Sequence, residues 1–358
     1  MDIETKIELV KRKPTQEVIV EQELCGMFET HAHPRHYIGY EISGYLHIGS
    51  LVLAGNKIND FAEAGMHTIV FLADWHAMLN NKLGGDWEKI TIASRYYREA
   101  FKFFCPQSEI ILGSDLYHHN DAYWRNYVYF SKQITLARNT RCLTILGRKE
   151  GDQLDFGAYL YPPLQAVDIR EMDLDVVHAG MDQRKVHMLV RDTFPRLKWK
   201  VPVAVHHHLV GGLQNPTRMG YETSEKLDFE VSNKMSKSVP DSAIFIHDSD
   251  DEIRRKIQGA YCPAKVIENN PIIDYVDHLV LRSPADVFTI ERPAKYGGTI
   301  TIDSMRRLKK DYGEGKIHPL DLKNAISECL IRIVAPIRRH FEDRHELLEV
   351  YGDVDITR

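Results

Sequence analysis

His36–Ser50 reads HYIGYEISGYLHIGS, and the architecture follows from it. HYIGYEI has strand character. A turn at Ser43–Gly44 follows, and a helix is predicted from about Ile48 to Ala64 because Leu51, Ala54, Ile58, Phe61 and Ala62 recur at helical spacing before Gly65. Next comes His67–Ala73, HTIVFLA, a continuous apolar run of the kind a strand shows when buried on both faces. A helix over about Trp87–Phe104 leads to the strand SEIILGS at 108–114. Further on, LDVVHAG at 174–180 and VPVAVHH at 201–207 are strands around the helix MDQRKVHMLVRDTF. Alternation of this kind predicts an α/β fold built on a doubly wound parallel sheet.

Outward from that core, the N-terminal stretch MDIETKIELVKRK alternates charge and apolar groups as a surface helix does, so residues 1–35 are expected to form an N-terminal helical segment. Residues from about 115 to 172 are mostly helical in pattern and read as an insertion between the two halves of the sheet. The pattern changes after Pro240. Ser249 and Glu252 have capping-box spacing, and DLKNAISECLIRIVA, from Asp321 to Pro336, is a long amphipathic helix. The expected division is a sheet domain over 36–242 and a mainly α-helical domain over 243–358.

Composition narrows the function classes. Of the 358 residues, 43% are hydrophobic, enough for a large core, and 27% are charged. The five cysteines have no CxxC spacing, which predicts neither a disulfide framework nor a thiolate metal site. No apolar run reaches membrane-spanning length, and the first residues lack the apolar centre of a signal peptide, so a cytoplasmic protein without membrane attachment is expected. The net charge of −5 argues against a wholly basic nucleic-acid binder, but basic runs at Arg138–Arg148 and Lys309–Lys323 leave one RNA-facing side open. Both runs also read as solvated helix surface.

Two motifs carry phosphate chemistry. HIGS, His47–Ser50, opens a helix just after a strand, where unpaired N–H groups and the positive end of the helix dipole favour an anion. Gly49 permits close approach to the backbone and His47 adds a donor. KMSKS, Lys234–Ser238, places two ammonium groups and two hydroxyls in a long polar stretch, suited to an anionic leaving group such as pyrophosphate. Alone, HIGS is weak. A given five-residue string is expected by chance in roughly one chain of this length in ten thousand, so KMSKS is specific.

In this order, the two motifs resemble the signatures of class I aminoacyl-tRNA synthetases. FLADWHAMLNN (71–81), YPPLQAVDI (161–169), GMDQRKVHM (180–188), AYCPAKVIENNPI (260–272), RPAKYGG (292–298) and IHPLDLKNA (317–325) extend the resemblance to the archaeal and eukaryotic tyrosyl-tRNA synthetases over about residues 36–337. One departure is Ser50, where the usual last signature residue is His. Serine still donates a hydrogen bond, from a shorter side chain. The resemblance implies a Rossmann-like catalytic domain with a helical insertion, an α-helical anticodon-binding domain, ATP with Mg²⁺ as substrate complex, tyrosine and tRNA(Tyr) as partners, and a homodimer formed through the insertion.

It also implies roles. Tyr37 and Asp168 bind the substrate phenol, and Tyr161, Gln165 and Gln183 hold the α-amino group. Asp182 binds the ribose, and Ser43, His47, Gly49, Ser50, Lys234, Ser236 and Lys237 handle ATP, with His47, Ser50, Lys234 and Lys237 as the catalytic set. Tyr296, His318 and Asp321 read the anticodon, while Arg138, Arg141 and Arg184 meet the acceptor stem. A phenol is one donor and one acceptor, which a carboxylate and a tyrosine hydroxyl satisfy. Tyr161, Gln165 and Asp168 share one face if their segment is helical. Asp74 and His76 are expected to line the same cavity. Locally, Asp321 reads equally well as a helix N-cap. His206, His207 and His208 do not converge on one ion if they lie on a strand, where neighbours alternate faces, so no protein-ligated metal is expected.

Overall fold

The computed structural model describes residues 1–147, 153–220, 224–237 and 239–352. Arg148 and Ser238, named above, lie outside them. Six strands form the main sheet: β1 (Thr15–Ile19), β2 (Arg35–Glu41), β3 (His67–Ala73), β4 (Glu109–Leu112), β5 (Val176–Gly180) and β6 (Val203–His207), in the order β1-β6-β5-β2-β3-β4. All neighbouring pairs are parallel except β1–β6. The chain steps outward from β2 to β3 and β4, then returns to build β5 and β6 on the other side. Strand order therefore reverses between β2 and β5, and a crevice opens beyond their carboxyl ends, where ligands bind in doubly wound sheets. β5 and β6 are buried at every residue, including His178, His206 and His207.

The helix over 87–104 falls where periodicity puts it. The one opening at Ile48 begins with a π-helical turn, Ile48–Leu53, and continues as α-helix over Ala54–Glu63. The insertion supplies helices Asp121–Ser131, Leu136–Cys142 and Tyr161–Glu171. Ser249 caps the helix Asp250–Gly259 in a full capping box with Glu252.

Two expectations need correction. Residues 1–35 are not wholly helical: after the helix Ile3–Lys11, Thr15–Ile19 adds an antiparallel edge strand to the sheet. The long C-terminal helix spans Pro319–His340 and passes through Pro336, and its N-cap is His318, whose Nδ1 accepts from Leu320 N–H, so Asp321 lies inside the first turn. The mainly helical second part also carries a hairpin of β7 (Phe288–Ile290) and β8 (Ile300–Ile302).

One apolar cluster runs from Ile38 and Leu72 in the sheet through Ile244 and Ile253 to Leu330 and Ile337, so the two halves share a core. Among the described residues, no helix is long and apolar enough to cross a membrane.

Candidate active site

Backbone pairing brings the two phosphate motifs together. Just after the KMSKS loop, Ile244 C=O accepts from Ile48 N–H (3.0 Å), and Leu46 C=O accepts from Ile246 N–H (3.1 Å). The loop's base is held by Gly212 N–H to Asn233 C=O (2.7 Å) and Met235 N–H to Val210 C=O (2.9 Å). Between the motifs and the insertion lies a cavity of about 300 Å³. Every residue expected on the tyrosine or ATP side lines it: Tyr37, Ser43, His47, Gly49, Ser50, Tyr161, Gln165, Asp168, Asp182, Gln183, Lys234, Ser236 and Lys237. His76 lines it too. Asp74 does not; its carboxylate accepts from Trp75 and Ser114 N–H instead, and the Ser114 hydroxyl donates to it.

At the opening of the helix, His47 Nδ1 accepts from Gly49 N–H (3.1 Å) and Ser50 N–H (3.2 Å). Burial, reinforced by Lys237 and Lys234, holds the ring far below the usual histidine range, so it is neutral. With Nδ1 accepting, the proton is on Nε2, which makes that nitrogen a donor. Ser50 Oγ accepts from His47 N–H (2.9 Å) and lies 3.0 Å from His47 C=O, closing a capping box. The serine's hydroxyl is thus committed to shaping the turn.

From the loop, Lys237 Nζ donates to Ser43 Oγ (3.0 Å) and to the Tyr97 hydroxyl. Lys234 Nζ donates to Asp182 Oδ2 at 2.6 Å. Burial raises the Asp182 carboxyl, but Lys234 outweighs it and holds the group below the ordinary range. The loop is therefore closed onto the cavity by two ammonium groups.

At the other end, Tyr161–Glu171 is helical, with Pro162 and Pro163 in its first turn, where a missing N–H costs nothing. This puts Tyr161, Gln165 and Asp168 on one face. Asp168 is fully buried; its Oδ1 accepts from the Tyr123 hydroxyl at 2.7 Å. Its Oδ2 has no hydrogen-bond partner, nor have Gln165 Oε1 and both ring nitrogens of His76, which stands 3.6 Å from Oδ2. Unpaired buried polar atoms are costly, and several facing one cavity mark a ligand's polar groups. Tyr37 is buried beside them, its hydroxyl pushed above the usual phenol range by burial and by Asp168. Tyr123 escaped the sequence reading because Tyr123, Tyr127 and Tyr129 lie within one helix, and only the fold selects the one that meets Asp168.

Burial pushes the Asp168 carboxyl from 3.8 up to about 8, against the Tyr123 and Tyr117 hydroxyls, which lower it. The folded chain retains a proton there that the unfolded chain has released. Asp168 thus favours folding at low pH, and that contribution is lost as pH rises through about 8. The expected result is that wild-type unfolding free energy, relative to Asp168→Asn, falls between about pH 5 and pH 8 by at most about 1.4 kcal/mol per unit. Urea melts of both proteins across that range measure it; a constant difference would mean that Asp168 titrates as an ordinary carboxylate.

The residues expected to meet tRNA lie elsewhere. Tyr296 is 60% exposed on the β7–β8 loop. Arg292 ties that loop to the start of the long helix, donating to Gly298 C=O (2.7 Å) and Lys316 C=O (2.8 Å), two residues before His318. Arg184 Nε donates to Glu17 (2.8 Å), Arg138 pairs with Asp192, and Arg141 is exposed. The three adjacent histidines diverge. His206 meets His187 and Glu17, His207 meets His178, and His208 meets Gln16 and Asp274.

The family described as tRNA synthetases class I (W and Y) matches residues 29–335. The tyrosine–tRNA ligases of Thermococcus sibiricus and Pyrococcus furiosus are each 46% identical to the chain over the full length of both proteins. Among solved structures, the tyrosyl-tRNA synthetase of Pyrococcus horikoshii complexed with L-tyrosine superimposes with a TM-score of 0.92 at 44% identity, covering 99% of this chain and 100% of that one.

Proposed function

The chain belongs to the archaeal-type tyrosyl-tRNA synthetases of class I, and from that premise we propose how its cavity and second half divide the ligase reaction. The observation that carries the proposal is the buried, unpartnered Oδ2 of Asp168 beside Tyr37 and His76. It is an unpaired carboxyl oxygen that a phenol hydroxyl can pair with, whether the carboxyl is ionised or holds its proton, at the far end of a cavity whose other end is lined by His47, Lys234 and Lys237. An indole N–H can donate but cannot also accept, so a tryptophan would leave one of the pair Asp168 and Tyr37 unsatisfied. Pyrophosphate exchange into ATP, run with each of the twenty amino acids, tests the reading; exchange driven by any amino acid other than tyrosine would overturn it.

In the proposed first step, the tyrosine carboxylate attacks the α-phosphorus of ATP, a P–O bond forms, and the bond to pyrophosphate breaks. Tyr161, Gln165 and Gln183 orient the amino group and Asp182 the ribose. The helix opening at Ile48, with the His47 Nε2–H, faces the phosphates from one side, and Lys234, Ser236 and Lys237 face them from the loop. Charge moves onto the departing pyrophosphate, so donors fixed before the reaction lower the barrier most. Ser43 positions Lys237, and Ser50 shapes the turn. Mg²⁺ belongs to the ATP complex and neutralises phosphate charge. In the second step, the 2′-hydroxyl of the terminal tRNA ribose attacks the tyrosyl carbonyl and AMP leaves.

The proposal assigns catalysis to residues 36–242 and tRNA reading to 243–358, in the cytoplasm. It places Tyr296 against an anticodon base, with Asp321 and His318 beside it, and Arg138, Arg141 and Arg184 along the acceptor stem. Exposed Val128, Tyr129 and Leu136 support a homodimer through the insertion, which sedimentation would test. Asp321 is not the helix cap, so its truncation should not unravel the helix. Asp321→Ala is expected to raise the KM for tRNA by the equivalent of about 1–3 kcal/mol and to leave tRNA-independent exchange unchanged. A parallel fall in exchange would make the residue structural.

A further inference from the structure

His208, Asp274 and His278 meet behind the KMSKS loop, where the end of β6 touches the second half of the chain. His208 Nε2 stands 2.8 Å from Asp274 Oδ1 and His278 Nε2 stands 3.5 Å from the same oxygen. The two imidazole rings are stacked with centroids 4.1 Å apart. All three ligand atoms lie within 4.8 Å of one another.

Hydrogen bonding determines where the proton of His208 sits. Gln16 Nε2 donates to both oxygens of Glu230, at 3.1 and 3.2 Å, which orients the amide. Its Oε1 therefore faces His208 Nδ1 at 3.3 Å, and Nδ1 must be the donor. Asp274 is a carboxylate: its Oδ2 accepts from Gly211 N–H (3.1 Å), and His208 with His278 outweighs burial in keeping it ionised. In turn, although burial opposes it, Asp274 raises the His208 pKa above the usual histidine range, so a proton on Nε2 lies between the two at 2.8 Å. A metal ion can take the place of that proton. Glu230 and Asp277 add negative charge around the group, opposed by Lys13, which pairs with Asp277. His278 Nδ1 is buried without a partner, so no other hydrogen bond fixes its ring.

We infer that His208 Nε2, His278 Nε2 and Asp274 Oδ1 form a site for a divalent transition-metal cation of the zinc type. Two imidazoles and one carboxylate are a common donor set for such ions, with a solvent molecule completing the coordination. Donors about 2.0–2.1 Å from one tetrahedral ion lie roughly 3.3 Å apart, so His208 Nε2 and Asp274 Oδ1 must separate slightly, while all three donors already lie within 4.8 Å of one another. Gln16 supplies the outer hydrogen bond that holds a ligating histidine in the right tautomer. Sequence reading dismissed the histidine run because its members diverge. They do, and the partners of His208 come instead from a segment about 70 residues further on. A cation here joins β6 to the second half through Asp274, whose other oxygen holds Gly211, the residue bridged to Lys234.

The test uses the full chain, dialysed against chelator. Cobalt(II) serves as the visible probe and zinc is followed by calorimetry and thermal melting. One equivalent of cobalt is expected to give a ligand-field absorption band that excess zinc abolishes, and zinc is expected to raise Tm. Affinity should fall at lower pH as protons compete for the imidazoles. His278→Ala should weaken zinc binding at least about tenfold, since loss of a ligand should cost no less than loss of an outer-shell partner, and should remove the Tm rise. That ring is partly exposed and its Nδ1 is unbonded, so the variant should fold; circular dichroism checks this. Asp274→Asn is the second variant. Absence of the cobalt band in wild type, or a band and Tm rise that survive in both variants, would overturn the site.

Discussion

Replacing Lys234 with alanine is expected to slow tyrosyl-adenylate formation by about 10²–10³ while tyrosine affinity stays nearly unchanged. The magnitude is that of removing one preorganised donor aimed at developing charge. Lys234 reaches Asp182 at 2.6 Å, which the proposal places with ATP, whereas it assigns the tyrosine side group to Asp168 and Tyr37. An interaction that strengthens only as charge moves onto pyrophosphate appears in kcat, not in ground-state binding. The closed loop adds a second expectation. Under the proposal, ATP's ribose takes Asp182 from Lys234 as the ammonium turns to the phosphates, so the pair is exchanged rather than lost. Lys234→Ala leaves the Asp182 carboxylate without its cation, and its pKa should rise. Equilibrium dialysis with tyrosine and pre-steady-state adenylate formation separate these effects. A fall in tyrosine affinity equal to the fall in rate would show that Lys234 acts on the pocket as a whole.

The sheet was legible because burial on both faces removes charged residues: HTIVFLA and VVHAG carry no Asp, Glu, Lys or Arg, so they can only be central strands or buried helix, and their length decides. β1 was not. TQEVI is short, half-exposed and carries a charge, as edge strands do, and only its pairing with β6 makes it a strand. The run through Pro336 was hidden for a different reason. A proline normally ends a helix, but here Val334 and Ile337 are packed in the core on either side of it, and tertiary burial outweighs the lost N–H.

On the phosphate side the cavity's residues were legible through HIGS and KMSKS, while those on the tyrosine side came from the family resemblance, with spacing adding only that Tyr161, Gln165 and Asp168 share a helical face. What sets their chemistry was less so. The neutrality of His47 comes from burial, reinforced by Lys237 and Lys234, and the raised pKa of Asp168 from full burial, with Asp74 and Glu171 adding to it against the Tyr123 and Tyr117 hydroxyls. Ser50 illustrates the limit: as a signature residue it reads as a phosphate donor, and its hydroxyl is spent on the turn. The His208 cluster was illegible because its members lie about 70 residues apart.

Phenylalanine is tyrosine without the hydroxyl, and any cavity that admits tyrosine admits it, so shape cannot be the basis of discrimination. The fully buried Asp168 has one oxygen already occupied by Tyr123 and one without a partner, and buried Tyr37 lies alongside. In the proposed pocket, tyrosine completes this arrangement, whereas phenylalanine leaves it dry and unpaired, at about 1–3 kcal/mol for each group. The penalty lies in the protein's own polar groups, so removing them should remove it. Tyr37→Phe combined with Asp168→Ala is expected to lose most activity with tyrosine. The tyrosine-to-phenylalanine ratio of kcat/KM should fall at least about a hundredfold, the equivalent of two such hydrogen bonds. Asp168→Ala frees the Tyr123 hydroxyl, which could offer the substrate phenol a replacement partner, so Asp168→Asn in the same background is the control that keeps Tyr123 bonded. Pyrophosphate exchange with each amino acid, on variants shown to be folded, measures the ratio. If it is unchanged, the phenol is read by His76 or Gln165, whose unpartnered atoms face the same space.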